Sequence, residues 1–143
     1  MHAAVLGRQS EAIRVLCELG ADINTPSKKG NTPVYNAASN GHAELIRALR
    51  ELGADVNTAN EAGESPVYMA AHIDHAEVIR TLGELGADVN APGNKGITPV
   101  NAAAQEVHVE AILVLCVLGP DVNTPTNKGS TPVYLAAADG RIE

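Results

Sequence analysis

Hydrophobic positions along the chain fall into short runs with helical spacing, separated by polar stretches punctuated with glycine. The clearest run is Leu45, Ile46, Leu49 and Leu52, an apolar stripe that predicts a helix starting near Ala43. Gly53 stands where that helix should stop. A shorter helix is predicted just ahead of it. Thr32 can cap its start through the hydroxyl, and Pro33 suits the first helical position, where an N–H would have no helical partner. The helix then runs through Val34, Tyr35, Asn36, Ala37 and Ala38 to about Asn40, and Gly41 is a natural left-handed stop. From Asp55, Val56 and Asn57 to Gly63 the chain reads as an extended arm and turn leading to the next capping residue, Ser65. Isolated helices shorter than ~12–15 residues are marginal in water, so helices this short must be held by their neighbours.

The same pattern returns along the whole chain. Thr-Pro-Val begins at Thr32, Thr98 and Thr131, with Ser65-Pro66-Val67 as a variant. Gly-Ala-Asp begins at Gly20, Gly53 and Gly86, with Gly119-Pro120-Asp121 as its variant. Asn24, Asn57, Asn90 and Asn123 keep step, as do Gly30, Gly63, Gly96 and Gly129. All four series share one period, the step from Thr32 to Ser65. A fixed period of this size predicts a solenoid in which stacked helix pairs bury a continuous core.

These motifs resemble the ankyrin repeat. Residues 32–57 follow that family's pattern of Thr-Pro-Leu-His, an Ala-Ala pair, Gly-His and Gly-Ala-Asp-Val-Asn, with Gly41-His42 in the middle. The resemblance implies an all-α solenoid of stacked antiparallel helix pairs with β-turn or hairpin arms and about four to five repeats. The period divides the chain into a partial unit over 1–26, full units over 27–59, 60–92 and 93–125, and a partial unit over 126–143. Met1 falls at the position of Val34, so the chain is expected to open inside a first helix. Neither end shows a polar capping repeat, which solenoids usually need for solubility. A piece of a longer array is the expected reading, with end-to-end self-association as its rival.

Several positions depart from the family pattern. Its first-helix His is replaced by Tyr35, Tyr68 and Tyr134, and by Asn101. A Tyr hydroxyl can tie neighbouring turns together as that His does, giving a tyrosine column broken at Asn101; the alternative is an aromatic ligand surface. The stop glycine Gly41 becomes Asp74 and then Val107, which is unsuited to a left-handed backbone. Gly83 lies inside a second helix and is expected to weaken it by roughly 1 kcal/mol relative to Ala.

Composition narrows the function classes. The apolar fraction is 45%, with no Phe or Trp and three Tyr, so the core must be aliphatic. A formal charge of −7 argues against nucleic acid, whose binding draws on surplus Lys and Arg, and against an anionic membrane surface. No segment approaches the ~20 apolar residues needed to cross a bilayer, and the opening residues lack a signal-peptide core. Cys17 and Cys116 occupy equivalent positions three periods apart, beyond disulfide reach, and are expected to act as small apolar residues. An intracellular, cytoplasmic setting is the default expectation.

Chemistry finds no foothold. His42, His75 and His108 recur once per unit, and helices pack 8–10 Å apart, so they cannot share a metal. The series Glu44, Glu77, Glu110 and Asp55, Asp88, Asp121 sit in equivalent environments, unlike a catalytic carboxylate pair. No phosphate loop, nucleophile elbow or metal motif occurs. No enzyme activity, cofactor, metal or catalytic residue is expected.

Binding on a solenoid belongs to positions the period leaves free. The resemblance implies contact through the turn tips and the concave first-helix face, with another protein as partner. The tip positions are Lys28, Lys29 and Asn31; Glu61, Ala62 and Glu64; Asn94, Lys95 and Ile97; Asn127, Lys128 and Ser130. The helix positions are Ser39, Asn40, His72, Ile73, Gln105, Glu106, Ala138 and Asp139. Ile73 and Ile97 are the sizeable apolar members, and no Trp, Tyr or Arg is expected on this face. Two rival readings are a structural spacer in a long array and a substrate for asparagine hydroxylation. Asn57 and Asn90 resemble the residues so modified in other ankyrin proteins.

Overall fold

The computed structural model describes residues 2–119 and 121–138, with side chains from residue 7 onward. Thr32, Ser65 and Thr98 each accept a hydrogen bond from the backbone N–H three residues on, and each is followed by proline. These caps open three short helices, α2 (Pro33–Ser39), α4 (Pro66–His72) and α6 (Pro99–Gln105). A fourth, α8 (Pro132–Ala138), starts the same way, with Thr131 accepting from Tyr134 N–H. Between them lie the second helices α3 (Ala43–Glu51), α5 (Ala76–Glu84) and α7 (Val109–Leu118). The opening helix α1 runs from His2 to Glu18.

The helices form two rows. Helices α2, α4, α6 and α8 stack in one, and α1, α3, α5 and α7 in the other. The first row buries small residues, Ala37, Ala38, Ala70, Ala71 and Ala103, which lets backbones approach closely. The second contributes the large aliphatic groups, with Ile46, Leu49, Ile79, Leu82 and Leu115 fully buried. Fully burying a side chain of this size stabilises by about 1.5–3 kcal/mol, so the core rests on aliphatic packing between neighbours. Among the described residues no strand forms. Tight turns stand in the arms instead, where Ser27 N–H bonds Asn31 C=O and Asn60 N–H bonds Glu64 C=O.

The breaks between paired helices lie where glycine or its substitutes stand. Gly41 has φ 76°, and Asp74 and Val107 take the same left-handed turn at 63° and 58° despite their side chains. At the equivalent position Arg8 does not break, and α1 continues as one helix through it. The expected division of this segment into two helices is therefore absent. Arg8 and Gln9 are good helix formers, and α1 packs on α3, so nothing offsets the roughly 1–2 kcal/mol that a left-handed Arg would cost.

Gly83 lies inside α5, as expected, and also makes room for a neighbour. A Cβ built there would meet Leu118 Cδ1 at 2.7 Å and Cδ2 at 2.8 Å. The glycine gives the end of α7 a seat against α5, so its low helix propensity is coupled to a close contact.

Candidate functional site

The outward side of the first-helix row is set by helical spacing. In α2, Val34, Tyr35, Ala37 and Ala38 are buried, which leaves Asn36, Ser39 and Asn40 facing out. The equivalent positions in α4 are half-buried Met69, exposed His72 and half-buried Ile73. In α6, Gln105 and Glu106 are half-buried, while Ala102 is closed off. Asn36 and Met69 belong to this side and were absent from the sequence expectation. The three- and four-residue neighbour rule applied to Ser39 and Asn40 finds them. Ala138 is exposed on α8, and Asp139 lies outside the described residues, as do Met1 and Pro120.

The tips stand beside this row and are tied together from arm to arm. Glu61 N–H donates to Lys29 C=O at 3.1 Å, and Asn127 N–H to Lys95 C=O at 3.1 Å. Asn60 Nδ2 donates to Asn31 Oδ1 at 3.0 Å, so Asn31 has a structural role as well. Within three of the turns one side chain accepts two backbone N–H groups. Ser27 accepts from Lys29 and Asn31, Asn60 from Ala62 and Glu64, and Thr126 from Lys128 and Ser130.

Gly93 replaces that clamp in the third arm. A Cβ there would stand 3.3 Å from the Tyr68 ring. The turn tightens into a single 3₁₀ turn over Asn94–Gly96 with Lys95 at φ 63°, a strained value for lysine. Lys28, Lys29, Glu61, Ala62, Asn94, Lys95, Asn127 and Lys128 are exposed, and Ile97 and Ser130 half-buried. Behind the third and fourth arms, Asn90, Pro92, Thr98, Asp121, Thr124 and Asn127 line a shallow crevice.

The tyrosine series divides by neighbour. Tyr35 is buried, and its hydroxyl donates to Glu64 Oε2 at 2.8 Å, tying α2 to the next arm. Burial first, and the Glu64 carboxylate second, push the Tyr35 phenol well above its ordinary value. Tyr68 is half-buried and stacks on His72 with ring centroids 6.2 Å apart. Burial, then Glu64 and Glu106, raise it too. The expectation of a face without tyrosine is thus corrected, since the Tyr68 ring lies against exposed His72. Asn101 is fully buried; its Nδ2 donates to Thr124 C=O at 3.2 Å, while its Oδ1 has no protein partner.

The repeated polar residues resolve mostly into structural bonds. Asp22, Asp55, Asp88 and Asp121 each accept the backbone N–H two residues on. Asn24 Oδ1 accepts Asp55 N–H at 2.8 Å and Asn57 Oδ1 accepts Asp88 N–H at 2.7 Å, so these side chains bridge successive arms. His108 Nε2 lies 3.0 Å from His72 C=O, and the His75 ring packs over Gly41. His42 is exposed, and the unbroken α1 offers it no corresponding turn.

Among the described residues no group of three His, Cys, Asp or Glu is placed to hold a metal ion. Nor is any helix long and apolar enough to cross a membrane. Both cysteines are free. Cys17 is half-buried, as expected of a small buried or half-buried apolar residue, whereas Cys116 is exposed on α7.

Two rows of paired short helices, capped by Thr-Pro and joined by stacked turns, define a helical-repeat solenoid of the protein-binding class. The family description "Ankyrin repeats (3 copies)" matches residues 1–92, and the chain belongs to the ankyrin repeat family. Such repeats are generally protein–protein interaction modules, and the family is typically non-enzymatic. No curated protein matches the chain closely enough to count as a relative.

Proposed function

We propose that this chain binds a partner protein through its turn tips and the outward side of its first helices. The observation that carries the reading is the division of labour across the surface. The repeated Asp, Asn, Thr and Gly positions are taken up by caps and arm-to-arm bonds, and the non-repeating side chains gather on one side. Its centre is Tyr68, Met69, His72 and Ile73 on α4, with Lys95 and Ile97 on the neighbouring tip. Tyrosine is enriched in binding hot spots, and the stacked Tyr68–His72 pair supplies a rigid contact at low entropic cost.

The phasing of units at 27, 60, 93 and 126 belongs to this reading. So does an intracellular setting, which two unpaired thiols support. No catalytic role is proposed.

The spacer reading draws on the arm-to-arm bonds, which would hold an array together whether or not anything binds it. Affinity capture with the native chain and with an Ile73→Ala, Ile97→Ala, Lys95→Ala triple variant separates the two. Partners that the native chain retains and the triple variant loses support the face. Equal capture by both would falsify the face assignment.

A further inference from the structure

All four lysines of the chain stand on the arm tips, Lys28 and Lys29 on the first, Lys95 on the third and Lys128 on the fourth. The arginines of the described residues lie on helices instead. The ion pairs divide the same way. Arg14 pairs with Glu11, Arg47 with Glu44 and Glu84, and Arg80 with Glu77, while His108 lies 3.9 Å from Asp74. No lysine takes part in an ion pair among the described residues. All four are exposed, and Lys29 and Lys95 remain so although a following arm is bonded to their own carbonyls. In a chain of net charge −7, the tips are where unpaired positive charge gathers.

The lysines keep the register of the repeat. Lys29, Lys95 and Lys128 occupy one position of the unit, and Ala62 takes that position in the second arm. Beside it, exposed Glu61 stands in the place of Lys28. Its carbon chain lies against the first arm, 3.1 Å from where a Cβ on Gly30 would be. The other acidic group of this tip, Glu64, is held by Tyr35. From first arm to fourth, the row of tips is positive, negative, positive, positive.

Spacing decides what can follow that row. Bonds from Glu61 N–H to Lys29 C=O and from Asn127 N–H to Lys95 C=O keep successive arms at the separation of packed helices, about 8–10 Å. A polyproline II segment rises ~3.1 Å per residue with three residues per turn, so residues on one side recur every ~9.3 Å. A β-strand rises about 3.3 Å per residue and alternates sides, so residues spaced to match the arms would point alternately toward and away from them. The strand loses every second contact. The polyproline II form keeps all four.

We infer that the tips bind an acidic polyproline II segment of a partner protein, one residue to each arm. Its first, third and fourth contact residues are carboxylates that meet Lys29, Lys95 and Lys128. The second is basic and meets Glu61. This inference rests on the reading of the tips as part of the binding side and names the chemistry of the partner. A segment already held in the polyproline II form loses little entropy on docking, which offsets the modest strength of exposed ion pairs. A nucleic acid fits less well, because it carries a charge at every nucleotide and sets one against Glu61.

The probe is the synthetic peptide Glu-Pro-Pro-Lys-Pro-Pro-Glu-Pro-Pro-Glu, its binding followed by fluorescence anisotropy at low salt. The native chain should bind it, and binding should weaken as salt is added. The charge-inverted peptide should not bind, and the same residues with their charges grouped at one end should bind about tenfold more weakly. On the protein, Lys29→Gln, Lys95→Asn and Lys128→Gln together should weaken binding about tenfold. Asparagine is chosen at Lys95 because it tolerates the left-handed backbone there. All three side chains are exposed, so helix content should not change; if it does, Lys29→Gln with Lys128→Gln repeats the test. A native chain that does not bind the peptide overturns the proposal. So does equal binding of the grouped peptide, equal binding by the lysine variant, or tighter binding of single-stranded DNA or phosphatidylserine vesicles. A captured partner that Ile73→Ala with Ile97→Ala loses and the lysine variant keeps overturns the acidic segment alone and leaves the binding face standing.

Discussion

Tyr35 shows how one substitution in the repeat motif changes what holds neighbouring units together. Its hydroxyl spans from α2 to Glu64 on the next arm, a contact between residues far apart in sequence. Burial and the carboxylate both favour the neutral phenol, so its folded-state pKa lies above the unfolded value of about 10. The sign follows from linkage: the stabilisation is whole below pH 10 and is lost as pH rises toward the folded-state value. Tyr35→Phe should therefore flatten the loss of stability above about pH 10. Urea midpoints measured from pH 8 to 11 check this; parallel declines in native and variant chains would contradict it. That Tyr35 bridges neighbouring turns is legible in the sequence, because the motif places it where a bridging His normally stands. Its acceptor is not legible. Glu64 occupies a non-repeating tip position, and only the stacking of α2 against the next arm brings the two together.

At the scale of the element, the helix starts are the most legible feature, because hydroxyl and proline act within four residues of each other. Helix ends depend more on neighbours. Val107 is held at φ 58° because α6 and α7 must fold back on each other, and its Cβ makes that conformation costly. Val107→Gly should raise the stability by roughly 1 kcal/mol, seen as a higher thermal midpoint. An unchanged or lower midpoint would mean that the side chain's contacts outweigh the strain. Arg8 stands at the equivalent site without any such constraint, and there the helix runs on. Arg8 and Gln9 stand where Val107 and His108 stand, and these helix formers together with the packing of α1 on α3 leave the helix continuous. Gly83 carries the same lesson, since helix propensity alone cannot reveal that Leu118 needs the space.

For the whole molecule, the period determines which side chains are taken up by the fold and which remain for recognition. Counting along the repeat finds Ser39, Asn40, His72, Ile73, Gln105 and Glu106, and the tips beside them. It passes over Asn36 and Met69, whose exposure follows from the same helical face, and over Tyr68, which appears buried by analogy with Tyr35. Gly93 lets the third arm approach the Tyr68 ring, which is nonetheless only half-buried where Tyr35 is buried. The central claim is that partners meet this side and not the second-helix row. Hydrogen exchange of the chain with and without a captured partner tests it most directly. Added protection at the tips around residues 28–31, 61–64 and 94–97 and along α4 is the expected footprint. Protection confined to α3 and α5, with the tips unchanged, would contradict it.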